Sequence, residues 1–232
     1  MKVIILAGGR GTRLPVSAKN IPKPLVPVNN KTLLDYHIEN LESFGFSDIR
    51  LSLGHMAEKI IDHMKNRYGN KYEWVVEPEK LGTGGALKYA STDLSDDFVA
   101  FNVDDFPKID FADFTTFHKN HDTENTIAIY RVNDARNFGL VKHDNIHVQK
   151  FLEKPQKKIS GHINTGLYVL SPKIFARFPQ KTFSIEIDVF PRLAEERRIA
   201  CYRNIDHWFT TGIEESLKKA AKFLRQKDGQ IS

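Results

Sequence analysis

The alternation of short apolar runs with helix-patterned segments constrains the fold of this 232-residue chain more than any other feature. The first run, KVIILA at residues 2–7, is rich in β-branched residues and is followed by the helix-like segment LLDYHIENLESFG. Four of its apolar side chains share one helical face: Leu33, Leu34, Ile38 and Leu41. Four such strand-then-helix units precede residue 125. This order predicts a largely parallel sheet flanked by helices.

The second half of the chain has a different pattern. Four strand-like runs follow one another closely, with turn residues between them: NTIAIYRV, GLVKHD, NIHVQKFLEK and HINTGLYVLS. They predict antiparallel strands added to the sheet. Helical pattern returns at residues 184–196, where Ser184 is a candidate N-cap, and again at residues 214–226. We expect one α/β domain over residues 1–232, with halves at 1–124 and 125–232.

Composition excludes several classes of protein. No apolar run approaches the roughly 20 residues that cross a bilayer, and the N-terminal run is too short for a secretory signal. A single cysteine, Cys201, excludes an intramolecular disulfide and fits a buried thiol in the reducing cytoplasm. The net charge of +5 comes from dispersed basic residues. A small anionic ligand is therefore favoured over nucleic acid.

A glycine-rich loop follows the first predicted strand, in the segment LAGGRGTRLPVSAKNIPKPL at residues 6–25. Open parallel sheets bind ligands at this edge, where glycines let backbone N–H groups approach phosphate oxygens. Arg13 and Lys23 supply positive charge for a polyphosphate. When the glycines are considered alone, an ordinary strand-to-helix turn explains them better than a phosphate-binding loop. No GK[ST] follows, and the prolines after Leu14 prevent the immediate helix of a dinucleotide-binding fingerprint.

The segment LAGGRGTRLPVSAKNIPKPLVPVNNKTLL resembles the N-terminal signature of the sugar-1-phosphate nucleotidylyltransferases, through its GxGTRL core, IPKPL and VPVNNK. The resemblance implies a Rossmann-like three-layer αβα fold with a mostly parallel mixed sheet. It also implies that an NTP and a sugar 1-phosphate react, with Mg²⁺, to give an NDP-sugar and pyrophosphate. Arg13 and Lys23 would hold the triphosphate. The implied nucleotide-binding residues beside them are Leu6, Ala7, Gly8, Gly9, Gly11 and Thr12.

YEWVVEPEKLGTGGAL is similar to the base-recognition loop of that family, so that residues 1–124 would be the nucleotide-binding half. The resemblance gives Glu77 the role of reading the base, with Gly82 and Thr83 beside it. An ionised carboxylate only accepts hydrogen bonds, and guanine offers it two adjacent N–H donors. GTP is therefore favoured over UTP or dTTP, as in mannose and heptose 1-phosphate guanylyltransferases. Without the family context, Glu77 could equally be a solvated strand end.

FNVDDF resembles the metal-binding NGD motif of the family, with Asp104 as the catalytic Mg²⁺ ligand, Val103 in place of the glycine, and Asp105 as a rival ligand. HWFTTGIEESL resembles the segment that carries the second metal-binding aspartate, and Thr210 stands at that position. Asp104 and the nucleotide could suffice, with Thr210 acting through water, or Asp206 could substitute for the missing carboxylate. The alternative is a protein that binds the nucleotide without turning it over.

Residues 125–232 would form the sugar-phosphate-binding half. GLV, FLEKP and INTGLY resemble the sugar-phosphate pocket of the family, and the implied residues are Gly139, Glu153, Lys154, Asn164 and Thr165. Lys154 would meet the phosphate of the sugar. Fixed acceptors and amides in a cleft suit sugar hydroxyl groups. Each motif is weak by itself, and their order along the chain strengthens the interpretation.

We expect a cytoplasmic enzyme whose partners are an NTP and a sugar 1-phosphate, without nucleic acid or membrane. A uridylyl- or thymidylyltransferase is the nearest alternative, and a non-catalytic nucleotide-sugar binding protein is an alternative of another class. A nucleic-acid-modifying transferase is disfavoured because no basic aromatic platform is present. The sequence leaves the sugar open and is compatible with an oligomer. Four histidines are expected at the surface or at helix caps: His55, His63, His118 and His121.

Overall fold

The computed structural model describes residues 1–9 and 20–211, and a nine-stranded mixed sheet lies at its centre. The strands are β1 (Val3–Leu6), β2 (Pro27–Val28), β3 (Lys31–Thr32), β4 (Ile49–Leu53), β5 (Glu73–Val76), β6 (Phe98–Asn102), β7 (Asp105–Lys108), β8 (Asn125–Val132), β9 (Gly139–His143), β10 (Val148–Glu153), β11 (Gly161–Leu170), β12 (Ile199–Tyr202) and β13 (His207–Thr210). The helices are α1 (Leu33–Ser43), α2 (Ala57–Tyr68), α3 (Gly82–Ala90), α4 (Phe111–Lys119) and α5 (Phe190–Glu195). Shorter turns of helix lie at Lys23–Leu25, Pro172–Arg177 and Ile185–Val189.

The first half of the chain forms the parallel part of the sheet. Strand β1 pairs in parallel with both β4 and β6, and β4 pairs in parallel with β5. A helix follows each of these strands, which confirms the predicted order. Because parallel strands end at the same edge, the residues after Leu6, Val76 and Asn102 lie along that edge, where open sheets bind ligands.

The second half adds the predicted antiparallel strands. Strand β11 pairs antiparallel with β6 and β8, and β9 pairs antiparallel with β10. The register of β11 shifts between Asn164 and Tyr168, and Gly166 there has a φ of +76°. Before this bulge β11 pairs with β9, and after it β11 pairs with β6. The sheet therefore forks at the bulge, a feature that often re-aims side chains beside functional sites.

Helices cover both faces of the sheet, which confirms the three-layer αβα prediction. The apolar face of α1 packs on one side together with α2 and α4, and the four predicted residues of α1 are buried. On the other side, α3, α5 and the segment between β11 and α5 enclose a second core. Cys201 lies in this core, where burial raises the pKa of its thiol to about 11.

Local chemistry explains several element boundaries. Thr32 and Asp35 form a reciprocal capping box that starts α1, because each side chain accepts a hydrogen bond from the backbone N–H of the other. The predicted cap Ser184 accepts a hydrogen bond from the Ile187 N–H, although the helical segment opens with the π-turn Ile185–Val189. The predicted helix at residues 214–226 lies outside the described residues.

Five strands were not predicted from the sequence, and two of them are the two-residue strands β2 and β3, which pair with each other. Strand β12 pairs in parallel with β8, and β7 forms a separate two-stranded ribbon with β13. Each of these last three unpredicted strands, β7, β12 and β13, has four residues, too few to establish a periodicity. Among the helices within residues 1–9 and 20–211, none is long and apolar enough to span a membrane.

Candidate active site

A cavity of about 360 Å³ opens at the carboxyl edge of the parallel strands, a size typical of small-molecule sites. Its lining includes nine residues predicted from the sequence: Leu6, Ala7, Gly8, Gly9, Lys23, Glu77, Gly82, Thr83 and Asp104. Three further residues of the predicted set, Gly11, Thr12 and Arg13, lie outside the described residues. The cavity thus gathers segments that are separated by up to about a hundred residues in the chain.

The lining also contains residues that the sequence analysis missed: Pro24, Lys80, Ala86, Asn102 and Val103. Lys80 is a second positively charged side chain in the lining. The sequence feature that could have indicated it is its position in EPEKLG, between the predicted residues Glu77 and Gly82. Asn102 is the last residue of β6, so its position at the strand end was the available signal. Val103 keeps the local geometry by donating its N–H to the Leu6 carbonyl at 3.1 Å.

Gly8 is required because the backbone passes very close to its neighbours. A Cβ atom at position 8 would lie 2.6 Å from Glu77 Oε1 and 3.1 Å from the backbone nitrogen of Gly54. Gly82, where α3 begins, has a φ of +73°, and a Cβ there would lie 2.5 Å from the Phe183 carbonyl oxygen. Larger residues would therefore displace the two loops that line the cavity.

Glu77 follows β5 and is partly buried at the cavity wall. The Leu81 N–H donates a hydrogen bond to Glu77 Oε2 at 3.2 Å, which fixes the side chain across the turn before α3. Burial raises the pKa of the Glu77 carboxyl above its ordinary 4.5, and the Leu81 contact opposes this shift. Glu77 has no cationic partner among the ion pairs of the described residues, so its carboxylate is available to N–H donors of a ligand.

Lys23 and Asp104 form an ion pair that joins the proline-rich loop to the end of β6. Asp105 is buried and does not line the cavity, and its Oδ2 accepts a hydrogen bond from Asn102 Nδ2 at 3.2 Å. Desolvation raises the pKa of Asp105 well above its ordinary value, and the neighbouring Asp104 raises it further. Asp104 is thus the carboxylate of this pair that lines the cavity.

Thr210 lies opposite Asp105 in the β7–β13 ribbon and hydrogen-bonds to its carboxylate. The same register pairs His207 with Lys108 and places Asp206 beyond the far end of the ribbon. At about 3.3 Å per residue, Asp206 lies roughly 13 Å along the strand from Thr210, and it pairs with Lys108 instead. Asp206 therefore does not stand in for a carboxylate at position 210.

The donor set around Asp104 fits Mg²⁺. This cation is commonly held by one or two carboxylates together with waters and substrate phosphates. Asp104 already holds a cation, the Lys23 ammonium, and it lines the cavity. No cluster of three or more metal-ligating side chains is present in the described parts of the chain, so the substrate would have to supply ligands.

The predicted sugar-phosphate residues lie beyond the lining of the cavity, around the fork of the sheet. Gly139 pairs with Glu153 across the β9–β10 hairpin, and a Cβ at Gly139 would lie 3.0 Å from Glu153 Oε2. That oxygen is buried and has no hydrogen-bond partner within the described residues. Burial raises the pKa of Glu153, opposed by Lys154, whose ammonium lies 3.2 Å from the carboxylate.

Asn164 and Thr165 occupy the bulge of β11 in different ways. Asn164 Nδ2 donates to the Tyr168 hydroxyl at 2.9 Å, and its Oδ1 accepts from the Gly166 N–H at 3.0 Å. Thr165 is fully buried, and its hydroxyl donates to the Ala128 carbonyl at 2.8 Å. The Thr165 side chain therefore holds the bulge from within the core. Of the two residues, Asn164 is the one whose side-chain oxygen can accept a further hydrogen bond.

One expectation about the histidines is wrong. His118 is buried, and its ring nitrogens contact Thr126 Oγ1 at 2.9 Å and Asp97 Oδ2 at 3.1 Å, so it joins α4 to β8 and to the residue before β6. His118 lies in the last turn of an amphipathic helix, and its position there did not predict that its side chain is buried. His55 is exposed, as expected, while His63 and His121 are partly buried.

Comparison with known proteins decides the family. The model of the family described as nucleotidyl transferase matches residues 2–227. The chain belongs to this family. The chain is 34% identical over 222 residues to mannose-1-phosphate guanyltransferase 2 of Candida glabrata, and the match covers 91% of this chain and 61% of that protein. A relative from Xenopus tropicalis, the catalytic subunit beta of mannose-1-phosphate guanylyltransferase, is 35% identical over 223 residues with the same coverage. The chain thus spans 61% of the length of these curated relatives.

Solved structures resemble the chain over almost its whole length. HddC from Yersinia pseudotuberculosis, crystallised with GMP-PN, is 32% identical, with a TM-score of 0.83 and coverage of 96% of this chain and 99% of that one. A UDP-glucose pyrophosphorylase bound to UDP-glucose shares the fold at 19% identity, with a TM-score of 0.80. The family and the fold predicted from the sequence are both confirmed.

Proposed function

We propose that this nucleotidyl transferase transfers a guanylyl group from GTP to a mannose- or heptose-like sugar 1-phosphate, giving a GDP-sugar and pyrophosphate. The observation that carries the proposal is the convergence of Lys23, Glu77 and Asp104 on one cavity at the carboxyl edge of the sheet. Relatives named as mannose-1-phosphate guanyltransferases, and the HddC complex with GMP-PN, support the choice of guanine.

Charge stabilisation would supply most of the catalysis. A phosphate oxygen of the sugar 1-phosphate attacks the α-phosphorus of GTP in line, the α–β bridging bond breaks, and pyrophosphate leaves without a covalent enzyme intermediate. Lys23 and Arg13 stabilise the charge that develops on the phosphates. Asp104 would hold Mg²⁺, which neutralises phosphate charge when it is bound. Because Lys23 pairs with Asp104 in this structure, the phosphates would have to draw the ammonium away from that carboxylate.

Glu77 would select the base. Its carboxylate accepts hydrogen bonds from guanine N1–H and N2–H, whereas uracil and thymine present carbonyl oxygens that an anion repels. The hydrogen bond from the Leu81 N–H holds the carboxylate in place before the base arrives. Gly8 lets this side chain approach the strand end closely.

The sugar phosphate would lie toward the fork of the sheet. Lys154 meets its phosphate, Glu153 accepts hydrogen bonds from hydroxyl groups, Asn164 offers them its side-chain amide, and Gly139 contributes backbone groups. Thr165 would act by anchoring the bulge that carries Asn164. We also infer a cytoplasmic location, because the single cysteine, Cys201, is a free buried thiol.

A panel of nucleotides and sugar 1-phosphates tests the proposal through pyrophosphate release with Mg²⁺. We expect release with GTP and a mannose- or heptose-type sugar 1-phosphate, and at most a few per cent of that rate with UTP or dTTP. Greater release with UTP or dTTP would contradict the choice of GTP. Binding without release for every pair would instead favour a non-catalytic nucleotide-sugar binding protein, the function that Thr210 at the position of a second carboxylate would suit.

A further inference from the structure

The π-turn Ile185–Val189 carries a carboxylate that joins the two ends of the site. Thr83 Oγ1 donates a hydrogen bond to Glu186 Oε2 at 2.6 Å, and Ser184 Oγ donates to the same oxygen at 2.7 Å. Thr83 lies in the cavity lining, and its Oγ1 in turn accepts from the Ile185 N–H at 3.0 Å. Glu186 is thereby fixed beside the N-terminus of α3, and its second oxygen, Oε1, has no hydrogen bond to any described residue.

A second acceptor faces the same region from the antiparallel side. Strand β10 packs against the π-turn, and Glu153 at the end of β10 has its buried Oε2 without a partner in the described residues. A buried acceptor left without a donor is destabilising, so this oxygen is suited to accept a hydrogen bond from a bound molecule. Burial and, to a lesser extent, the charge of Glu186 raise the pKa of Glu153 and of Tyr168, in agreement with the packing of β10 against the π-turn.

Acceptors other than Glu186 cap the backbone at the start of the π-turn. Asp188 Oδ2 accepts from the Ser184 N–H at 2.7 Å, and Ser184 Oγ accepts from the Ile187 N–H at 3.2 Å, so the first N–H groups of the turn already have acceptors. Glu186 also forms no ion pair within residues 1–9 and 20–211. Glu186 is therefore a fixed carboxylate, next to the cavity-lining Thr83, whose charge no described cation neutralises.

The chemistry of this pair defines the ligand. Two carboxylates accept hydrogen bonds, and neutral hydroxyl groups donate them without introducing charge. A ligand that carries its own carboxylate would be repelled by both side chains, since like charges in a partly desolvated site disfavour binding. We propose that Glu186 is a substrate-contacting residue which, with Glu153, accepts hydrogen bonds from hydroxyl groups of a neutral polyhydroxylated sugar 1-phosphate and excludes uronic acid 1-phosphates. This inference rests on the proposed function and names the class of sugar that its site accepts.

Steady-state kinetics of Glu186→Gln test this assignment, with Asp188→Asn on the same turn as the matched control. Glutamine keeps the size and an acceptor for Thr83 and Ser184, but it removes the charge. We expect the KM for the preferred neutral sugar 1-phosphate to rise about tenfold while the KM for GTP stays within twofold. The discrimination against the matching hexuronic acid 1-phosphate should fall at least tenfold. Asp188→Asn, which alters only the cap of the turn, should leave that discrimination unchanged.

Three results would overturn the assignment. These are equal changes in both KM values, unchanged discrimination in Glu186→Gln, or the same loss of discrimination in Asp188→Asn. Calorimetry with the neutral and acidic sugar 1-phosphates, at saturating GDP, separates this from the proposed function. If no pair releases pyrophosphate but Glu186→Gln still weakens binding of the neutral sugar, only the catalytic proposal fails. If the wild-type protein binds neither sugar 1-phosphate, both fail.

Discussion

The two ends of the candidate site are built in different ways. At the proposed nucleotide end, loops after parallel strands bring backbone and charged side chains together, and the cation Lys23 is paired with Asp104. At the proposed sugar end, side chains within antiparallel strands and a bulge supply the polar groups, and the buried Glu153 Oε2 has no described partner. One end therefore holds its cation Lys23 already paired with a carboxylate before substrate binds, whereas the other retains an unsatisfied acceptor.

This difference predicts which substitutions should impair each end of the site most. Polyphosphate binding depends on net positive charge and on close backbone approach, so the nucleotide end should respond most to loss of a cation. Sugar recognition depends on the identity and direction of acceptors, so the sugar end should respond to changes in the bulge and in single carboxylates. Four changes test this contrast, from the largest expected effect to the smallest.

Replacing Lys23 by methionine removes the described cation that is paired at the nucleotide end. We expect kcat/KM to fall by about 100-fold to 1,000-fold, because a lost stabiliser of developing charge has that effect in other enzymes. Lys71→Met is the matched control, since Lys71 pairs with Glu42 at the surface of α1. A loss below fivefold in Lys23→Met, measured by pyrophosphate release, would show that the nucleotide end does not depend on this charge.

The bulge can be tested with a pair of glycines that share a positive φ. Gly166→Ala would place a Cβ 2.3 Å from Asp105 Oδ2 and 2.7 Å from Asn102 Nδ2, whereas Gly45→Ala meets nothing within 4 Å. We expect Gly45→Ala to lower the free energy of unfolding by about 1–2 kcal/mol through backbone strain alone. Gly166→Ala should lower it by about 2–4 kcal/mol, because crowding adds to that strain. If urea denaturation gives equal decreases in the free energy of unfolding for both variants, a Cβ atom fits at the bulge without crowding.

Glu77→Gln tests base selection at the nucleotide end. A hydrogen bond to a charged group contributes about 1.5–3 kcal/mol, so the preference for GTP over UTP should fall about 10-fold to 100-fold. The pH profile carries the same information. Because burial raises the pKa of Glu77, protonation removes its acceptor at a pH above the ordinary 4.5, and the KM for GTP should rise as the pH falls through that range. A glutamine variant with the same acid limb as the wild type would contradict this role.

Lys154→Met should have the smallest effect, because Lys154 is exposed and its ammonium already contacts Glu153. Exposed ion pairs contribute about 0.2–1 kcal/mol, so we expect the KM for the sugar 1-phosphate to rise about fivefold or less at low salt. The increase should shrink as salt screens the charge. A large, salt-independent loss would show that Lys154 is desolvated when the substrate is bound, like the cation at the nucleotide end.

Periodic and local features were predictable from the sequence. The faces of α1, the order of the parallel strands and the position of the glycine loop follow from apolar spacing and from the chemistry of glycine. The four-residue strands β7, β12 and β13 were not predictable, because their pairing depends on partners far away in the chain. The inward orientation of His118 was missed for the same reason, since Asp97 and Thr126 lie on other elements.

The sequence by itself determined the family, the αβα layers and the residues at the nucleotide end, because those residues directly follow strands and so share one edge of the sheet. Only the tertiary structure decided the roles of side chains whose neighbours come from elsewhere. In the folded chain the Thr165 side chain is buried in the core, Thr210 pairs with Asp105 across a ribbon, and Glu186 contacts Thr83. The physical reason is that a hydrogen-bonded contact depends on which distant segments fold against each other, and residue spacing along one segment carries no record of that.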